Sequence, residues 1–495
     1  VLGITHCPGK CDVDTAATRR RELAVDLAAI RAWGATVLVT LIEEHEFELL
    51  KVDHLGEMAE AEGLEWHHLP IPDMDVPNWA FGRRWVYSGP RLRRLLRQGG
   101  RVVLHCRAGL GRAGTIAAHL LVELGVPAAE AISQVRHVRR GAIQTSAQEE
   151  HVNRVTMISA QEDESAARRL ACLLGGALGD SFALPVEFDK LSVIQRRFGP
   201  GGLRIPQFEH GQLVVSDATQ MTLFTLEGLT RAHLGKKQGD DELMRQMWLS
   251  YLDWRETQGG KARGDTASRL MKHAALYVRR APDPTCLSVL EADTLGTLEN
   301  PINDNRSCGA VMRVAPIGQM PDGDAVRAFS LGMRTAALTH GHPDAYLSAG
   351  FLAATLRLLA EGQSLAEASR QAGEILSAHA GHETTLAKVN AALQAARHPH
   401  LGQIPSQLHQ GRTGVEALAI GLYAAARGLD FATVLAIAAN HDGDSSTSAA
   451  IAGQLFGAQF GLEALPHAWI RRLDVLDALC DLVEWGQPLG TRAGS

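Results

Sequence analysis

Two textures of apolar patterning divide the chain. In roughly the first 150 residues, short apolar runs alternate with helical stretches. ATVLVTLI (Ala35–Ile42) follows Gly34, Glu65–Ile71 is a second short run, and RVVLHC (Arg101–Cys106) follows Gly99 and Gly100. Each predicts a strand. Between them Glu44–Glu62 and Trp79–Arg97 read as helices, the second with Leu92, Leu95 and Leu96 on one face. Arg112–Leu124, Ala128–Val138 and a helix from Ser146 follow. Such alternation predicts an α/β sandwich with a central sheet. Beyond about Glu162 the chain turns Ala/Leu/Gly-rich with helical periodicity, as in Ala325–Thr339, Ala345–Ala360, Leu365–Ala378 and Val415–Arg427. Gln212–Ser216 is a short strand candidate there. The expectation is a multidomain chain: an α/β domain over 1–162 and an all-α domain over 166–490. The polar join Ala160–Ala166 (AQEDESA) lacks Pro and Gly, so it need not be a flexible linker.

Composition narrows the picture. A length of 495 residues exceeds one ordinary core, and 45% hydrophobic with 21% charged residues excludes a disordered chain. A net charge of −6 gives no global reason to hold nucleic acid, and none is expected. The richest apolar stretch, Val415 to Asn440, is interrupted by Glu416, Arg427 and Asp430, and reads as a buried helix rather than a membrane span. The first residues lack a basic-then-apolar leader pattern. Seven scattered cysteines are the usage of a reducing compartment, so the expected location is cytoplasmic.

The most informative stretch is His105-Cys106-Arg107-Ala108-Gly109-Leu110-Gly111-Arg112-Ala113-Gly114-Thr115. A strand ends at Cys106, a Gly-containing loop follows and a helix begins near Arg112. The backbone amides of Arg107, Ala108, Gly109, Leu110, Gly111 and Arg112 then form a nest that favours a tetrahedral anion. The same positive field favours the thiolate of Cys106. The spacing lets the Arg112 guanidinium fold over the loop and grip two phosphate oxygens. Together these suit attack on phosphorus through a phosphocysteine. His105 is expected to support the loop by hydrogen bonds. HCPGKC (His6, Cys7, Cys11) does not by itself make a zinc site. Arg136, Arg139 and Arg140 form a basic cluster that either receives an anionic substrate or is a solvated helix end.

On these residues the N-terminal part resembles the protein tyrosine and dual-specificity phosphatase superfamily, closest to the compact group of the cyclin-dependent-kinase-associated phosphatase. HHLPIPD (His67 to Asp73) is similar to that family's general-acid loop, and GAIQT (Gly141 to Thr145) to the segment that orients the hydrolytic water. The resemblance implies Asp73 as general acid, with Asp75 as competitor. The family commonly has Ser or Thr after the loop arginine to aid thiolate departure. Here Ala113 stands there, so either turnover of the intermediate is slow or Thr115 substitutes.

The helical part carries polar segments in apolar surroundings: GALGDSFALPVEF, SDATQMTLFTLEGL, NRSCGAVMRVAPIG, LTHGHPDA and NHDGDSSTSAAIAG. Oxygen donors at two helix starts are what a magnesium site needs, and a small-residue loop permits close backbone approach to a ligand. In this order the segments resemble the ADP-ribosylglycohydrolase family. The resemblance implies an all-α domain that binds ADP-ribose beside magnesium. It implies Ser216, Asp217, Asp444 and Thr447 as metal ligands and Glu187 as the acid/base residue. Cys308, Gly309, Ala310, Met312 and His340 would line the ADP-ribose pocket. Two expected acids are replaced, by Ala218 and Ser446, so one ion or none is expected, with Asp442 as a neighbouring substitute. The expected function is a bifunctional hydrolase acting on a phosphorylated protein or small phosphomonoester and on an ADP-ribosylated protein or ADP-ribose derivative. The alternative is an active phosphatase fused to a weakened ADP-ribose-binding module.

Overall fold

The computed structural model describes residues 1–11, 21–235, 239–264, 266–398, 404–405, 408 and 410–486. These fall into two compact units, Val1–Ala167 and Arg168–Gly486.

The first unit is built on four parallel strands, β1 (Leu2–His6), β2 (Val37–Thr40), β3 (Glu65–His68) and β4 (Val102–Cys106), in the order β1-β4-β2-β3. β4 is paired on both edges and all five of its residues are buried, which is why VVLHC reads as a continuous run rather than an alternation. The pleat still sorts its side chains. Val102, Leu104 and Cys106 join one core with Val39, Ile116 and Leu120, while Val103 joins a second with Leu27, Leu38 and Phe47. The sheet is therefore covered on both faces. β1 was not foreseen; it is five residues long, none fully buried, and its apolar pattern is diluted by Gly3. The expected helix Glu44–Glu62 is two, Glu44–Leu50 and Leu55–Ala61, because Lys51 turns left-handed at φ 59° and ends the first. The polar join begins a helix, Ala160–Ala183, rather than a linker. Its Asp163 is buried against Arg93, with two oxygens on the guanidinium at 2.7 and 3.1 Å. Such a pair is costly to break once desolvated.

In the second unit every described element is a helix. Gln212–Ser216 forms no strand; Gln212 and Leu213 make isolated bridges to Glu209 and Leu473. Val415–Asn440 divides into Gly414–Ala426 and Phe431–Ala439, parted at Gly428 (φ 62°) and restarted by Asp430, whose carboxylate caps Thr433 N at 3.0 Å. The contact that positions the site runs between Ala160–Ala183 and Ser445–Phe460. Glycines meet backbone there: a Cβ on Gly453 would lie 1.9 Å from the Gly175 carbonyl, and one on Gly179 would lie 2.0 Å from that of Ala449. No larger residue permits this approach, and it brings Glu187, just beyond the first helix, to Ser446 at the start of the second.

Gly453→Ala should therefore lower the stability of the helical unit by about 1–3 kcal/mol, as overpacking does. Denaturant unfolding followed by circular dichroism checks this; an unchanged midpoint would show that the helices separate freely.

Candidate active sites

β4 delivers Cys106 to its C-terminal end, 3% exposed and in register with His6 of β1. The chain then turns and enters the helix Gly111–Glu123. The loop carbonyls are all held from outside. Arg107 O accepts from Cys7 N at 3.3 Å, Ala108 O and Gly109 O each accept from Arg139 at 3.1 Å, and Leu110 O accepts from Gly114 N at 3.0 Å. A trans peptide points its N–H away from its carbonyl. Among the described residues the amides of Arg107 to Arg112 donate to no protein acceptor. The loop is thus an anion nest in geometry as in sequence. Gly109 makes it possible: its φ is +67°, and a Cβ there would lie 2.4 Å from Thr5 O.

Arg112 is 1% exposed and held on three sides. Glu46 takes it at 2.5 and 2.9 Å, Ile71 O at 3.1 Å and Asp73 Oδ1 at 3.1 Å. Burial pushes the Glu46 carboxyl up, but the bonds from Arg112 and Glu43 N outweigh it and hold the group below its ordinary value. Asp73 Oδ1 lies 3.1 Å from Arg112 and accepts Met74 N at 3.1 Å, whereas Asp75 Oδ1 accepts Val76 N at 2.8 Å. Gln148, fully buried, ties the acid loop to the GAIQT segment through Asp75 O at 3.1 Å and Gln144 N at 2.9 Å.

The structure bears on three further readings of this site. Arg139 braces the loop, and Arg136, though exposed, braces Ala142 O and Ile143 O, so two of the three members of that basic cluster are bonded to backbone. Thr115 cannot stand in for the absent hydroxyl after Arg112, because it donates to Gly111 O at 2.9 Å. Cys7 is a core residue whose thiol burial pushes up to about 12, which makes it a poor zinc ligand. His105 is a scaffold residue. Trp66 Nε1 donates to Thr40 Oγ1, the Thr40 hydroxyl shares a 2.7 Å hydrogen bond with His105 Nε2, and burial keeps the ring neutral by pushing it down to about 3. Glu46, Gln148 and the bracing role of Arg139 were missed; of these only Glu46 left a trace, as the last Glu of the capping box Glu43–Glu46.

The second site gathers at helix starts. Ser216 caps Asp217–Leu234 by accepting Ala218 N at 3.1 Å. Asp180, fully buried, accepts Ser216 N at 3.0 Å and Thr219 N at 3.1 Å; burial pushes it up to about 6 against those bonds. Asp444 caps Ser445–Phe460 through Thr447 N at 2.8 Å and accepts Ser446 Oγ at 3.1 Å. The same Ser446 hydroxyl makes a short bond to Glu187. Burial, then the Asp444 charge, push Glu187 up to about 9. Ser446 Oγ stands between the two carboxyl groups, within bonding distance of both Glu187 and Asp444. Asp217 is raised as well, by burial first and with the charges of Asp283, Glu187 and Asp444 adding to it. Phe188 N donates to Gly443 O at 2.7 Å, which clamps the Glu187 turn to the HDGD turn.

The small-residue loop lies against these acids. Cys308 Sγ is 2.9 Å from Asp444 Oδ2, and Thr447 Oγ1 is 3.8 Å from Met312 Sδ. Ala310, Met312 and His340 are almost wholly buried, as are Ser216 and Thr447. Asp442 is tied to the backbone through one oxygen, which accepts Leu191 N at 2.7 Å. Asp180 and Asp283 were not singled out as site residues by sequence; Asp283 sits outside every motif used.

Comparison with known proteins agrees with this division. Residues 161–492 match the family model described as ADP-ribosylglycohydrolase, and residues 15–126 match one described as Polymorphic toxin system, DSP-PTPase phosphatase. Cyclin-dependent kinase inhibitor 3 of Rattus norvegicus is 31% identical over 147 residues, 29% of this chain. The chain spans 66% of that relative's length. A solved ADP-ribosylglycohydrolase-related protein complex is 25% identical, with coverage of 65% of this chain and 98% of that one and a TM-score of 0.41. The crystal structure of kinase associated phosphatase is 27% identical, covering 30% of this chain and 83% of that one, with a TM-score of 0.28.

Glu46→Gln keeps the shape of the brace but removes the charge that fixes Arg112. Turnover of p-nitrophenyl phosphate should fall by about 10²-fold, the scale of a small misplacement of a reacting group. Steady-state kinetics check this; unchanged kcat would mean that Ile71 O and Asp73 suffice to hold the guanidinium.

Proposed function

Because the chain belongs to the ADP-ribosylglycohydrolase family and carries a DSP-PTPase phosphatase region ahead of it, we propose that it is a bifunctional hydrolase of a reducing, cytoplasmic compartment. One activity removes phosphate from a phosphorylated protein or small phosphomonoester, and the other acts on an ADP-ribosylated protein or ADP-ribose derivative. All seven cysteines are free, in keeping with that compartment.

The observation that carries the phosphatase reading is the ring of unbonded amides beside Cys106, with Arg112 held over it. The Cys106 thiolate attacks phosphorus and the alkoxide or phenoxide leaves with a proton from Asp73. The amides and Arg112 hold the equatorial oxygens as charge develops. Water then attacks the phosphocysteine, with Asp73 as base. Ala113 and Thr115 offer no hydroxyl to the departing sulfur, so this second step is the slower one.

For the glycohydrolase reading the acids Asp217, Asp444 and Glu187 converge, and the donor set suits one magnesium ion better than two. A buried methyl at Ala218 and a hydroxyl at Ser446 occupied by Glu187 and Asp444 leave too few carboxylates for a pair. Asp217 and Asp444 would hold the ion, with the Ser216 and Thr447 hydroxyls at the same helix starts. When bound, it supplies Lewis acidity at the ribose diol. Glu187 donates a proton to the leaving group. These replacements favour weak hydrolysis with ADP-ribose binding retained, which joins the active-enzyme reading to the binding-module one.

Cys106→Ser should abolish aryl phosphate hydrolysis with the fold intact, and persistent activity would sink the covalent mechanism. Asp73→Asn should slow alkyl phosphates more than aryl ones, because phenoxide leaves with less protonation; the same pattern in Asp75→Asn instead would transfer the acid role. For the helical unit, ADP-ribose release is followed against magnesium concentration in the parent, Ala218→Asp, Ser446→Asp and the double variant. The double variant should gain more than the two single gains combined. Full turnover of the parent at micromolar magnesium, with no gain on restoration, would refute the degenerate-site reading.

A further inference from the structure

The amides of the Cys106 loop and Arg112 account for one phosphate, yet further cations stand at the rim of the loop. Arg107, the residue after Cys106, and Arg140 are both exposed, and among the described residues neither guanidinium has a hydrogen-bond or ion-pair partner. The backbone fixes where Arg140 stands. Before it, Arg139 donates to Ala108 O and Gly109 O; after it, Ile143 N donates to Leu110 O at 3.4 Å. Arg140 thus lies on a segment tied at both ends to the loop. Next to it Gly141, at φ +82°, has no heavy atom beyond its chain neighbours within 4 Å of where a Cβ would stand, so this stretch borders open space.

A second observation gives the sign of the field at this end of the sheet. His6 is in register with Cys106 on the neighbouring strand. Burial, then the charges of Arg21, Lys10 and Arg139, push its ring below the ordinary value, and Asp26 alone opposes them. Cations therefore outnumber acids beside the nucleophile. Of the neighbouring arginines, Arg21 is answered by Asp26 and Arg136 by Glu149, while Arg139 is spent on loop carbonyls. Arg107 and Arg140 are left over. A single exposed arginine is ordinarily just solvated. Two of them flanking an anion nest that already has its own arginine carry more positive charge than one phosphate dianion needs. The guanidinium fork matches a second phosphate in shape as well as in charge.

We infer that the phosphatase site takes a small phosphomonoester that carries a second phosphate group, and that Arg107 and Arg140 receive this second group. This rests on the phosphatase reading above. A phosphorylated ADP-ribose derivative meets the description: its pyrophosphate supplies the second anion, and removal of its phosphomonoester leaves a compound of the class proposed for the helical unit. The test measures phosphate release by the full chain from adenosine 2′,5′-bisphosphate, and from adenosine 2′-monophosphate and adenosine 5′-monophosphate, which present each phosphate alone. The parent should favour the bisphosphate over the two monophosphates together by about tenfold or more in kcat/KM, chiefly through KM, as charge-assisted bonds to one phosphate allow. Added sodium chloride should erode the preference. Arg107→Gln and Arg140→Gln should each reduce it and the double variant should abolish it. The preference is a ratio within each variant, so a general loss of activity cancels. If the parent treats the bisphosphate and the monophosphates alike, or if the double variant keeps the preference, the inference falls and the phosphatase reading stands. The inference also falls if the arginine-dependent preference is shown only by a phosphotyrosine peptide with flanking glutamates over one with flanking alanines. If the parent releases phosphate from none of these, nor from p-nitrophenyl phosphate, both readings fall.

Discussion

A helix leaves its first amide groups without partners inside itself, and both sites of this chain are solutions to that constraint. At Gly111–Glu123 the loop carbonyls are bonded from behind by Arg139, Cys7 and Gly114, and the leading amides are left for a ligand. At Asp217–Leu234 and Ser445–Phe460 the equivalent amides are taken by protein oxygens: Asp180 and Ser216 at one, Asp444 at the other. The first arrangement presents positive charge and selects an anion. The second cancels the positive ends with buried acids, so what faces the site is carboxylate, which selects a cation. The same local feature is thus given opposite chemistry by whether its amides are answered within the protein.

Holding such arrangements takes buried charge, and the two units do it differently. In the first, each charged group has a partner of opposite sign: Arg112 has Glu46, and Arg93 has Asp163. Desolvation there is offset by bidentate geometry. In the second, acids face acids, and the cost appears as protons held by Glu187 and Asp217 above their ordinary range. Pairing of this kind is the signature of a site poised for proton transfer or for a cation, rather than of a structural ion-pair network. The glycine contact between Ala160–Ala183 and Ser445–Phe460 is what forces these like charges together, since only backbone-to-backbone packing brings the two helix ends so close.

Much of this was legible in the sequence where chemistry and local structure coincide. The strand–loop–helix around Cys106 is contiguous, so spacing alone carried the nest and the arginine. Trp79–Arg97 and Ala128–Val138 were read to the residue because their apolar faces repeat cleanly. What escaped is what depends on partners remote in sequence. β1 becomes a strand only by pairing with β4, a hundred residues on. Glu46 reaches Arg112 across 66 residues, and Gln148 reaches Asp75 across 73. The long helix expected at Glu44–Glu62 failed for a local reason: no Gly or Pro announces the left-handed turn at Lys51.

The substitutions at 218 and 446 show why a motif and a site are different things. Counted along the sequence, two acids are missing and the site is degraded. Counted in space, Ser446 is not a gap: its hydroxyl links Glu187 to Asp444 and so holds Glu187 against the helix start. Asp442, the neighbour that sequence offers as a replacement, bonds Leu191 N through one oxygen. Asp283, which sequence does not offer at all, reaches the Asp217 carboxylate through its backbone N–H. A carboxylate binds by where its oxygens lie and not by which segment carries it. The composition of such a centre has therefore to be read from the helices that converge on it.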